Sequence, residues 1–159
     1  MTDTFPAFLA IETGDDALPV AIAWSLPDGQ IKYTLIQPLE SWDDGDDLAL
    51  NGYDLDTLHA NGERPLDVIR ELEADHFEAV LYVSGVGEEH DALERLLSEY
   101  GINPFVTLEY ASRLYDNVDT ETWQDARNDY LIDEGLPPMQ ADNEVLAMLN
   151  LHQRYNNER

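Results

Sequence analysis

The apolar positions of this chain recur with two different periods, and the changes of period divide it into elements. Phe8-Leu9-Ala10-Ile11-Glu12 is a short, almost unbroken apolar run that predicts a buried strand, with Thr13-Gly14-Asp15-Asp16 as the break after it. Residues 20–26 predict a second strand. Pro27-Asp28-Gly29 supplies turn chemistry and residues 31–36 alternate apolar and polar, so the second and third strands form a hairpin. Residues 38–61 read as loop, rich in Asp and Gly around Trp42-Asp43-Asp44-Gly45-Asp46-Asp47. Pro65 suits the first turn of a helix whose apolar face is Leu66, Ile69 and Leu72.

Ala79-Val80-Leu81-Tyr82-Val83 predicts a core strand that Ser84-Gly85 ends. Over residues 88–100 Leu93, Leu96, Leu97 and Tyr100 fall at helical spacing, and Gly101 stops the helix. A short fifth strand is expected at 106–108. Helical sequence begins again at Tyr110 and spans 121–133; Gly135 and Pro137-Pro138 then break the pattern before a last helix at 139–152. This order predicts an α/β domain over residues 1–159, with a mixed sheet flanked by helices.

The composition agrees with one ordinary globular domain: 159 residues, 43% apolar. Its longest apolar stretches, such as residues 18–24, are far shorter than the roughly 20 residues that span a bilayer, so no membrane partner is expected. Met1-Thr2-Asp3-Thr4 carries no positive charge and the next apolar run leads into Glu12, from which a cytoplasmic protein is expected. There is no cysteine, so a bound metal would need oxygen or histidine ligands. The charge changes the picture most. With 34 acidic and 8 basic residues the formal charge is −26, which repels phosphate backbones and argues against a simple nucleic-acid-binding module. The acids are spread along the whole chain and Lys32 is its one lysine. That distribution fits a solvated surface adapted to high salt, or an acidic surface that docks on a basic protein partner.

Three positions carry carboxylates in a suggestive order. Glu12 ends the first strand, Asp91 opens the helix after the fourth, and Asp142 lies in the first turn of the last helix. Phe8-Leu9-Ala10-Ile11-Glu12-Thr13, Asn51-Gly52-Tyr53, His90-Asp91-Ala92-Leu93 and Pro137-Pro138-Met139-Gln140-Ala141-Asp142, in that order, resemble the motifs of the DEDD (DnaQ-like) family of 3′–5′ exonucleases. The resemblance runs over about residues 8–152. It implies an RNase H-like fold, in which three antiparallel N-terminal strands are joined by parallel strands and flanked by helices. It further implies that Glu12, Asp91 and Asp142 are catalytic carboxylates and metal ligands acting on nucleic-acid 3′ ends. In such chemistry two divalent ions about 3.5–4 Å apart clamp the attacking and leaving oxygens.

The match has three departures. Ala10 stands where the first motif has Asp, Asn51 where the second segment has His, and Pro137 where the third motif has the His that serves as general base. A positioned base contributes typically about 10²–10⁴-fold, and a lost ligand adds to that. The resemblance therefore implies an exonuclease-like protein with impaired or no activity and at most a weakly held Mg²⁺ or Mn²⁺. An active enzyme would need relocated ligands, drawn from Asp15, Asp16, Glu88 or Glu89, or His90 as substitute base.

Each residue also has a plainer reading. An Asp in a first helical turn is favoured by the helix dipole alone, and a histidine such as His90 is commonly a partly buried structural residue. Asp142 shares the helix side of Val145, Leu146 and Leu149, where a carboxylate needs a partner. Trp24, Trp42 and Trp123 read as core or loop anchors and not as base-stacking platforms.

Overall fold

The computed structural model describes residues 4–39 and 50–157. Strands β1 (Ala7–Thr13), β2 (Pro19–Ser25) and β3 (Ile31–Leu35) form an antiparallel meander, and the turn at Pro27-Asp28-Gly29 closes with Gly29 N–H donating to the Leu26 carbonyl. Helices α1 (Leu55–Asn61) and α2 (Pro65–His76) follow, then β4 (Val80–Val83), α3 (Glu89–Ser98), β5 (Thr107–Tyr110), α4 (Thr120–Asp133) and α5 (Ala141–Asn157). The five strands lie in the order β3-β2-β1-β4-β5, with β1, β4 and β5 parallel. The predicted α/β class and mixed sheet are thus observed.

Helices cover both faces, and the alternation along the strands decides which side chain meets which layer. Leu9, Ile11, Ile22 and Trp24 pack with Leu58, Val68, Ile69, Leu72, Leu93, Leu96 and Leu97 of α1, α2 and α3. Phe8, Ala10 and Ala23 point the other way, onto Trp123, Ala141, Val145, Met148 and Leu149 of α4 and α5. Trp24 and Trp123 are fully buried, as core anchors should be. Trp42 and the acidic run around it lie outside the described residues. None of the described helices is long and apolar enough to cross a membrane.

Four expectations need correction. The stretch read as loop up to Asn61 contains α1, whose start is capped by Asp54 Oδ1 accepting from Thr57 N–H at 2.7 Å. An Asp three residues before a free amide is a helix-start signal that the surrounding Asp-rich sequence obscures. The buried seam of α2 is Pro65, Val68, Ile69, Leu72 and His76, with Leu66 at its edge. Strand β5 runs one to two residues later than expected. The last helix begins at Ala141 instead of Met139, because Met139 takes a left-handed φ of 63° that no helix accommodates.

Candidate functional site

Glu12 is the end-of-strand acid, yet it is 2% exposed. The register of β1 against β2 shifts between Glu12 and Thr13, a bulge that turns the strand end. Glu12 lies on the same face as Ala10, the face that carries α5. Opposite them on β2 stand Ala21 and Ala23, and Tyr33 of β3 pairs with Ala23. These small residues leave room for the Tyr33 ring to reach across the sheet.

Four donors converge on the Glu12 carboxylate. Oε2 accepts from Tyr33 Oη at 2.9 Å and from the Ala141 backbone N–H at 2.8 Å. Oε1 accepts from Tyr53 Oη at 2.9 Å and Asn51 Nδ2 at 3.1 Å. The two tyrosine hydroxyls also touch at 2.8 Å. Asn51 and Gly52 both hold left-handed φ angles, 56° and 87°, in a turn closed by Tyr53 N–H on the Leu50 carbonyl. Asn-Gly is the pair that accepts such a turn, and it aims Asn51 and Tyr53 at the carboxylate. Ala141 is the first residue of α5, so its N–H has no partner within the helix. Glu12, from 129 residues earlier, satisfies it and places a negative charge at the positive end of the helix dipole.

The tyrosines respond to this burial. Desolvation, then the close Tyr53 hydroxyl and the Glu12 charge, holds the Tyr33 hydroxyl far above its ordinary range. Tyr53 is raised by burial first and by the Glu12 hydrogen bond and charge, with Asp142 adding a small repulsion. Beside the cluster opens a polar cleft of about 320 Å³, lined by Glu12, Asn51, Gly52, Tyr53, Pro138, Met139 and Gln140.

Of the carboxylates singled out from the sequence, Asp142 lies nearby, next to Ala141 and partly exposed. Asp91 is exposed and lines a different cleft, with Asp16, Glu88, Glu94 and Arg95. His90, expected to be partly buried, is exposed with its ring edge on Tyr110. Pro137 is exposed. Among the described residues no three His, Asp or Glu side chains are arranged to hold a metal ion. A carboxylate has about four lone-pair positions, and all four of Glu12's are engaged. The residues present therefore do not fit a two-ion centre.

Two further acids are buried: Glu144, which the sequence does not single out, and Glu89, expected there only as a relocated ligand. Glu144, 4% exposed, accepts from Arg127 Nε at 2.7 Å and from Nη2, and also from the Met139 N–H at 2.9 Å. Glu144, and not Asp142, is thus the carboxylate that faces the core from α5. Its signal in the sequence was position, one turn from both Ala141 and Met148, together with an isolated arginine on α4. Glu89, 3% exposed, has an Oε2 with no hydrogen-bond partner. Burial, reinforced by the charge of Glu144, raises its carboxyl to about 7. Gly87 allows this placement, because a Cβ there would collide with the Glu89 carboxylate.

No protein-family model matches the chain, and a search of curated proteins finds no significant match.

Proposed function

We propose that the chain is an exonuclease-like domain of RNase H-like type that has lost efficient catalysis, and whose first-strand carboxylate now has a structural task. One observation carries this reading: both oxygens of Glu12 are filled by donors from β3, the Asn51-Gly52 turn and the start of α5. A divalent ion at Glu12 would have to displace a tyrosine hydroxyl or the helix N–H, so any Mg²⁺ or Mn²⁺ would be held weakly. Ala10, buried on the same face, offers no second ligand. Asn51, at the position where the family has His, is one of the donors that occupy Glu12.

Incubation of the protein with 5′-labelled single-stranded DNA or RNA, with Mg²⁺ or Mn²⁺ at low and high salt, tests it. The expected result is no 3′ shortening above buffer, unchanged in Glu12→Ala. Robust shortening that disappears in Glu12→Ala would overturn the reading and point to relocated ligands.

A second reading, an acidic protein that meets a basic partner, is favoured by how the cations are used. Lys32 pairs with Glu71 and Asp75, Arg64 with Asp67, Arg113 with Glu109, and Arg127 is buried against Glu144. Among the described residues at least four of the 8 basic residues pair with carboxylates of the same chain, and with 34 acidic residues the surface left to a partner is strongly negative.

A further inference from the structure

Helix α3 separates two clefts of opposite character. On the side facing β5 lies an apolar groove of about 390 Å³ whose floor is Leu93, Leu97, Ile102, Val106 and Leu108. Exposed His90 and Glu94 stand at its rim. On the other side of the helix, an open cleft of about 540 Å³ carries four carboxylates, Asp16, Glu88, Asp91 and Glu94, against the single guanidinium of Arg95. Glu94 and Ser98 line both, so the two form one surface.

Beside the groove, β5 is the last strand of the sheet, and among the described residues no strand pairs with its outer edge. An unpaired edge is a template for an added strand: main-chain hydrogen bonds bind it, and pockets for alternate side chains select it. Tyr110, 41% exposed at the end of β5, stacks edge-on to His90 and extends the apolar wall.

We infer that this surface receives an extended, Lys- or Arg-rich segment of a basic protein. Its backbone adds to β5, an aliphatic side chain enters the α3–β5 groove, and a cationic side chain meets Glu94 on the rim that the groove shares with the acidic cleft. Charge selects this occupant. A second copy of the chain would bring its own −26, and a nucleic-acid backbone is also anionic, so both are repelled from this edge. The inference rests on the second reading above, an acidic protein with a basic partner, and is independent of whether Glu12 supports catalysis.

The probe is a short fluorescein-labelled peptide of alternating Val and Lys, with a Gly and Lys peptide of equal charge as its control. Anisotropy is followed at about 0.1 M and about 1 M NaCl, where the Debye length falls from about 10 to 3 Å. The full chain should bind the Val peptide at least about tenfold more tightly than the Gly control, less tightly at high salt. Leu108→Lys should remove that preference, and Glu94→Lys, an exposed change on the shared rim, should weaken binding severalfold. In the unaltered protein, amide NMR shifts should concentrate on residues 107–110 and on Leu93 and Leu97. Equal binding of both peptides, or shifts confined to other elements, would overturn the groove while leaving the acidic-partner reading intact. No binding of either peptide at low salt would sink both.

Discussion

The two faces of the sheet differ in the polar groups they bury beside their apolar cores. Against α2 and α3 the strands present Leu9, Ile11, Ile22 and Trp24, and the layer is held by apolar volume. Against α4 and α5 they present Phe8 together with the smaller Ala10, Ala23 and Ser25 and the acid Glu12, and the layer buries Arg127, Glu144, Ser112 and Asn143. Small side chains bring α5 close to the sheet, and polar groups enclosed there must find partners or cost several kcal/mol each. The contrast teaches that one face should lose stability with the apolar volume removed, while the other should fail when a single partner is lost and recover when both partners are replaced.

The largest effect should come from separating the buried ion pair. Arg127→Met strands the Glu144 carboxylate and should cost about 3–5 kcal/mol, whereas Arg127→Met with Glu144→Leu should recover much of it. On the other face Leu72→Ala should cost about 2–5 kcal/mol by leaving a cavity, with no comparable rescue from a second truncation. Urea unfolding at fixed salt measures all three. If the paired replacement were as destabilising as Arg127→Met, the account of the polar face would be wrong.

Glu89 sharpens the comparison through pH. Its folded value of about 7 lies above the ordinary 4.5, so the folded state keeps a proton that the unfolded chain releases in between. Stability from this group is full below about pH 4.5 and falls as pH rises towards 7, by about 3 kcal/mol. Glu89→Gln should therefore gain on the unaltered protein steadily across that window and level off above it. A difference between the two that stays flat with pH would show that Glu89 ionises freely.

Glu12→Gln exchanges an acceptor of four hydrogen bonds for an amide that presents its own N–H to donors. A loss of about 2 kcal/mol is expected, with faster hydrogen exchange at the start of α5. Unchanged exchange there would detach Glu12 from the helix. The smallest effect belongs to the surface. Asp119 caps α4 by accepting from Thr122 N–H at 2.7 Å, and Asp119→Ala should cost about 1 kcal/mol whichever face is intact.

Much of the apolar face was legible in the chain. The runs at Phe8 to Glu12 and Ala79 to Val83 and the Leu93, Leu96, Leu97 stripe predicted strands and a helix near where they occur, because a period of 2 or 3.6 is a local property. Less of the polar face was legible. Glu12 was singled out for its place at a strand end, yet its four partners come from three separate segments of the chain. Asp91 and Asp142 looked equivalent to it in order along the sequence, but one lines another cleft and the other stays partly exposed.

The sequence by itself determined the α/β order, the hairpin, the charge and the same-face placement of Ala10 and Glu12, since each depends on neighbours a few residues apart. Only the tertiary structure decided that Glu12 caps α5, that Glu144 and not Asp142 faces inward, and that Glu89 is enclosed with one carboxylate oxygen lacking a hydrogen-bond partner. A carboxylate carries no local mark of its fate. Whether it meets water, a guanidinium, a helix end or nothing is decided by residues distant in the chain, and desolvation makes that choice worth kilocalories.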